Sequence, residues 1–158
     1  IGDTVCFTSL NPFRIKISGR TKHYINAFGE ELMIDNVECA LHKACEKTGA
    51  QITEYTGAPI FMSGNGSGAH EWIFEFSKEP SSLEDFTDIF DEHLKSINSD
   101  YEAKRYLNMT LKRPVVNVAK PNLFYHWMKS RGKLGGQNKV PRLCNDREYI
   151  DPLLMLNV

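Results

Sequence analysis

The chain has 158 residues, 41% of them apolar and 25% charged, which suits one soluble globular domain with a core of its own. Its formal net charge of -1 supplies no field to steer it toward nucleic acid or a membrane surface. No apolar run is long enough to span a bilayer, so membrane partners are excluded from the reading.

No basic-then-apolar signal peptide opens the chain. Ile1 stands in what reads as the middle of a motif, so the expectation is a fragment of a larger protein. Residues 4–9 and 14–18 alternate Val5, Phe7, Ile15 and Ile17 with polar positions, the period of a half-buried ribbon turning at Asn11-Pro12. From Ser18 to Leu32 the pattern reads as a turn, a short strand, a second turn at Gly29 and the lead-in to a helix. Asp35 is the expected N-cap of that helix, with Glu38 three residues on as in a capping box. Val37, Ala40, Leu41 and Ala44 form its apolar stripe, and Gly49 stops it.

Residues 51–62 and 70–76 read as paired strands, with Trp72, Phe74 and Phe76 on one face and Glu71, Ile73 and Glu75 on the other. Between them lies Ser63-Gly64-Asn65-Gly66-Ser67-Gly68. A phosphate-cradling loop would be followed by a helix; here a strand follows, which makes this a hairpin tip. Ser81 and Glu84 have capping-box spacing at the start of a second helix, whose inner face is Leu83, Phe86, Phe90, Leu94 and Ile97. Its acids, Glu84, Asp85, Asp88, Asp91 and Glu92, read as a solvated face rather than a general acid/base pair. A short buried strand at 115–118 and a helix at 123–131 closed by Gly132 complete the elements. Helices on one side of a small mixed or antiparallel sheet give an α+β fold, with no repeat and no internal linker.

Cys6, Cys39, Cys45 and Cys144 contain no CxxC pair, and in this context they are expected to stay reduced, in a cytoplasmic setting. Cys39, His42 and Cys45 resemble a metal cluster at first sight. Steps of three drift around a helix and no fourth ligand is evident, so no metal site is assigned.

From Lys129 to Arg147 the chain holds Lys129, Arg131, Lys133, Lys139, Arg142 and Arg147 against one acid, Asp146. Glycines at 132, 135 and 136 let its backbone reach or swing, and Pro141 stiffens the exit. A lysine on such a loop is a mobile point charge suited to phosphate oxygens. Phe124, Tyr125 and Trp127 also permit base stacking, but with Met128 they fall at helix spacing, which favours core packing and disfavours nucleic acid.

Gly2-Asp3, then Gly19-Arg20-Thr21-Lys22, a turn at Gly29 and a helix with Glu38 near its start together resemble a core motif of the adenylate-forming superfamily. Gln137-Asn138-Lys139-Val140-Pro141-Arg142 resembles the terminal Gln-x-Lys-x-Pro-Arg signature of the auxin-responsive acyl-acid amido synthetases within it. The wider superfamily more often carries Ser/Thr-Gly-Lys there, which favours the amido-synthetase branch. The resemblance implies a single C-terminal lid domain over residues 1–158, in an enzyme that activates a carboxylic acid with ATP and Mg2+ and transfers the acyl group to an amino acid or CoA. It implies an absent N-terminal domain as partner, and no nucleotide retained by the fragment. By position, Asp3 would bind the ribose hydroxyls, Arg20 the ribose and phosphate, Lys22 would be the hinge, Lys139 the catalytic lysine, and Gly29 would face the second substrate. The alternatives are the lid of an acyl-CoA ligase and a non-enzymatic α+β module binding RNA or another ligand.

Overall fold

Two apolar-polar ribbons joined by a turn form the first element of the computed structural model, which describes residues 3–20, 24–64, 66–133 and 139–158, with backbone alone at 3, 4 and 18–20. Strands β1 (Asp3–Leu10) and β2 (Phe13–Arg20) pair antiparallel across a cis Asn11-Pro12 bond. Val5 pairs with Ile17 and Phe7 with Ile15, so the alternation read from the sequence puts these four on one face. All four are exposed, at 53 to 70% of their surface. Next, β3 (Tyr24–Ile25) and β4 (Leu32–Met33) close a small antiparallel pair around the turn at Gly29, with Ile25 and Leu32 fully buried.

Helix α1 (Ile34–Thr48) has Met33 at its N-cap, two residues earlier than the Asp35 cap predicts. Asn36, not Glu38, reaches back, its Oδ1 accepting from the Met33 N–H at 3.0 Å. Asp35 sits in the first turn, where its charge suits the helix dipole. Gly49 ends the helix in the left-handed conformation, as the sequence predicts.

The central sheet is β5 (Gln51–Ile60), β6 (Ala69–Lys78) and β7 (Val115–Val118), in that order, antiparallel then parallel. The glycine-rich stretch does join two strands. Helix α2 (Leu83–Ile97) is capped by Ser82 rather than Ser81, its Oγ accepting from the Asp85 N–H at 3.1 Å. Helices α3 (Ser99–Arg105), α4 (Leu123–Ser130) and α5 (Ile150–Leu156) complete the fold.

The fold is α+β, but the sheet is covered on both faces, not one. Trp72, Phe74 and Tyr55 bury against α1 and α2, where Phe90 meets Trp72 edge-on at 5.2 Å and Phe86 meets Phe74 at 5.5 Å. Ala58 and Ile73, on the opposite face, pack with Leu123, Phe124, Trp127, Ile150 and Leu153. Ile73 alternates with the aromatics and gives β6 its contact with the second layer. Each fully buried aromatic contributes about 1.5–3 kcal/mol of transfer free energy.

Asp91 also departs from the expected solvated face. It is 4% exposed, accepts from Tyr101 Oη at 2.6 Å, and takes Arg105 Nε and Nη2 at 2.9 and 2.7 Å. Burial alone would raise its carboxyl, but the bonds from Arg105 and Tyr101 outweigh this and hold it below the ordinary range. A depressed carboxylate contributes stability that is present above its unfolded pKa and is lost as pH falls through the folded one. Asp91→Ala should therefore cost about 3–5 kcal/mol, because it strands a buried guanidinium. Urea midpoints of the 158-residue chain should fall below about pH 4, less steeply in Asp91→Asn than in the parent.

Candidate functional site

Lys139 lies on the lip of a cleft of about 370 Å³ between the start of β5, the end of β6 and helix α4, with Lys133 on the same lip. Glu54 and Glu75 line its walls, with Phe124, Tyr125 and Met128. Glu75 accepts from the N–H groups of Asn122 and Phe124 at 2.8 and 3.3 Å, so its charge is spent on the exposed start of α4. Phe124 and Trp127 are buried in the second layer, and Tyr125, at 51% exposure, is the one of the three read as base-stacking candidates that reaches solvent.

The chain after Lys139 is fastened to β5 residue by residue. Thr56 Oγ1 donates to the Pro141 carbonyl at 2.7 Å, the Gly57 N–H to the Arg142 carbonyl at 3.0 Å, and the Cys144 N–H to the Gly57 carbonyl at 3.1 Å. Val140 and Leu143 are buried. The segment is in effect a short parallel addition to the β5 edge, bridged at Gly57 and Leu143. Arg142 turns the opposite way, pairs with Glu38 of α1, and lies 5.0 Å over the Tyr55 ring. Tyr55 Oη donates to Glu38 Oε1 at 2.7 Å. Burial and the Glu38 carboxylate together drive the Tyr55 hydroxyl far above its ordinary pKa, so it stays a donor. The signature thus divides by role, with Arg142 as a clamp and Lys139 at the free side of the clamped segment.

Asp3 and Arg20 are register partners at the open end of the β1–β2 hairpin, so the backbone brings these two candidates side by side. Lys22 and Gln137 lie outside the described residues. Gly29 is exposed at the apex of its turn with φ +85°, a conformation that favours glycine. That turn packs at the His70 end of β6, through Glu30 and His70 at 2.8 Å, whereas Lys139 stands at the Glu75 end. Five residues of strand separate those ends, about 16 Å. The Glu30–His70 pair had no signal in the sequence, because its members are 40 positions apart and neither sits in a recognisable pattern.

Cys39 Sγ lies 3.5 Å from His93 Nε2, on α2, rather than joining His42 and Cys45. Among the described residues no group of three or more His, Cys, Asp and Glu side chains gathers as metal ligands. Burial raises the thiol of Cys45, and burial with Asp146 and Glu148 raises that of Cys144 to about 11, so both remain protonated. Among the described residues no helix is long and apolar enough to cross a membrane.

Comparison with known proteins adds two findings. Residues 35–148 match the family model described as the GH3 family C-terminal domain. Among solved structures, the chain is similar over its full length to a GH3.15 acyl acid amido synthetase, with TM-score 0.72 and 20% identity, covering 31% of that chain. A second structure, AtGH3.15 acyl acid amido synthetase in complex with 2,4-DB, gives TM-score 0.71 and 19% identity, with 100% of this chain and 30% of that one covered. The chain therefore spans less than a third of the length of these relatives. No curated protein matches.

The fastening of residues 140–144 to β5 is open to a direct check. Thr56→Val removes the donor to the part-buried Pro141 carbonyl and should cost about 0.5–1.5 kcal/mol. Hydrogen exchange should report it locally, with the amides of Gly57 and Cys144 losing protection while those of α2 hold theirs.

Proposed function

The chain belongs to the GH3 family, and on that premise we propose that it is the mobile C-terminal lid of an ATP-dependent ligase that converts a carboxylic acid to its acyl-adenylate and passes the acyl group to an amino acid. The observation that carries this reading is the placement of Lys139 and the Gly29 turn at opposite ends of β6. A lid that serves two half-reactions needs two working ends, and this domain offers them on one rigid strand. CoA is the other acceptor compatible with the same lid.

In the first half-reaction a carboxylate oxygen attacks the α-phosphorus of ATP and pyrophosphate leaves. Two anions approach, and negative charge builds on the phosphoryl oxygens. The ammonium of Lys139, delivered into a site closed to water, offsets that repulsion where it is greatest. The clamp of Arg142, Glu38 and Tyr55 fixes the position from which Lys139 extends. Asp3, beside Arg20 on the hairpin, is assigned to the ribose hydroxyls, and Arg20 to the ribose and phosphate. Magnesium enters with ATP as its phosphate complex and belongs to the substrate. In the second half-reaction the lid turns about Lys22, withdraws Lys139, and presents the Gly29 turn to the acyl acceptor.

The partner in both states is the preceding domain of the same polypeptide. Support comes from the relatives, more than three times as long as the matched part, and from the apolar face of Val5, Phe7, Ile15 and Ile17, which lies open on the hairpin. Cys6, Cys39, Cys45 and Cys144 as free thiols fit a reducing cytoplasmic setting. By itself the chain should fold yet bind no ATP at micromolar concentrations in calorimetry.

Lys139→Ala in the full-length enzyme should slow acid-dependent pyrophosphate exchange by roughly 10²–10³-fold, the usual loss for one transition-state charge. Amide formation from synthetic acyl-adenylate should change far less, and Lys133→Ala should affect exchange less than Lys139→Ala does. Loss of exchange in the Lys133 variant, with Lys139→Ala intact, would move the role to the other lysine. Lys22→Pro fixes φ at the hinge and should make the two half-reaction rates diverge by at least about tenfold. Equal losses in both would instead mark simple destabilisation.

A further inference from the structure

Glu30 follows Gly29 in a turn at the molecular surface, yet its side chain is 0% exposed. Burying an ionised carboxylate is costly unless donors surround it. Here they do: Oε1 accepts from the Ala27 N–H at 3.1 Å and from His70 Nε2 at 2.8 Å, and Oε2 accepts from the Phe28 N–H at 2.7 Å. With both oxygens accepting backbone N–H groups, the carboxylate is the acceptor toward His70 and the imidazole Nε2–H the donor. Burial would raise the Glu30 carboxyl, but His70 and the backbone N–H groups outweigh it and hold it below the ordinary range. His70 is itself 1% exposed and stacks on Tyr101 at 5.7 Å.

The same turn is held from two further sides. Asn98 Nδ2 donates to the carbonyls of Glu30 and Glu31 at 3.1 and 3.3 Å. The Phe28 ring fills the space over Gly68, where a Cβ would come within 2.2 Å of it. Gly29 has φ +85° and Glu31, not a glycine, has φ +40°. A strained backbone of this kind persists only when its surroundings over-determine it, and such strain gathers where a fixed geometry is used. Hairpin turns commonly hold residues at positive φ, but a turn needed only to reverse the chain requires no buried ion.

We infer that Glu30 and His70 are positioning residues for acyl transfer: they lock the exposed Gly29 backbone in the attitude it presents to the acyl acceptor. This rests on the ligase reading above. In that half-reaction the acceptor amine nitrogen forms a bond to the acyl carbon, the bond from that carbon to the AMP oxygen breaks with its electron pair leaving on AMP, and the amine releases a proton to solvent. The buried pair touches none of these atoms and acts through the turn.

The test uses the full-length enzyme and assays the half-reactions separately. Glu30→Ala should lower amide formation from synthetic acyl-adenylate by about 10²-fold, the scale of a misplaced reacting group, while pyrophosphate exchange stays within about threefold of the parent. Glu30→Gln keeps one oxygen, which can accept from the Ala27 N–H and His70 while its NH2 faces the Phe28 N–H, so it should recover part of the loss. Asn98→Asp serves where Glu30→Ala fails to fold. It keeps the acceptor for the Tyr101 N–H but removes the donors to the two carbonyls, and should lower amide formation alone by about tenfold. Equal losses in both half-reactions, or no recovery in Glu30→Gln, would overturn the positioning role. A parent enzyme that exchanges pyrophosphate with no carboxylic acid would overturn the ligase reading itself.

Discussion

A side chain at position 57 would place its Cβ 2.4 Å from ring carbons of Trp72, so β5 and β6 can lie at their observed spacing there only because the residue is glycine. The consequence runs in both directions. Inward, Trp72 reaches full burial and becomes the floor on which Phe90 stands edge-on. Outward, the Gly57 N–H and carbonyl point to the sheet edge and take Arg142 and Cys144. One missing methyl group thus ties the main core to the segment that carries Lys139. Any substitution at Gly57 has to displace either the aromatic layer or the strand edge, and in both cases the lysine moves with it.

What could be read from the chain was what local periodicity encodes. The alternation of Trp72, Phe74 and Phe76, the run Phe86, Phe90 and Leu94, and the stop at Gly49 are short-range patterns, and the structure keeps each of them. The misses share a cause, which is that a partner distant in sequence set the outcome. Asp91 looked solvated because its neighbours on α2 are charged, and only α3, folding back with Tyr101 and Arg105, buries it. Helices are expected on one side of the sheet only, until α4 and α5 pack on Ile73 and supply the second layer. The two helix starts slipped, α1 by two residues and α2 by one, for a smaller reason: several polar residues stood within reach of each end, and Asn36 and Ser82 made the better geometry.

At the candidate site the signature singles out Lys139 and leaves the surroundings of its segment unread. Arg142 lies within the signature, but its partners Glu38 and Tyr55 come from α1 and β5, and only the fold brings a carboxylate, a phenol and a guanidinium together. Glu30 and His70 are the sharper case. A glutamate directly after another turn residue reads as solvent-exposed by every compositional rule, and its burial follows from β6 running beneath the turn.

These supports bear on how the domain could move if it serves as the proposed lid. Aromatic packing covers one face of the central sheet and the α4–α5 layer the other, so the described core has no soft layer along which its two ends could shift independently. The Glu30–His70 pair fixes one end and the Arg142 clamp fixes the other. On the proposed two-step reading, a change between half-reactions would be a rotation of the whole body, with the angles absorbed outside it. The short connection between Arg20, which ends β2, and Tyr24, which begins β3, contains Lys22 and joins that body to the hairpin bearing Asp3. Rigidity at both ends is what would let so short a hinge exchange one for the other, since a flexible body would spread the same rotation over many residues and deliver neither end accurately.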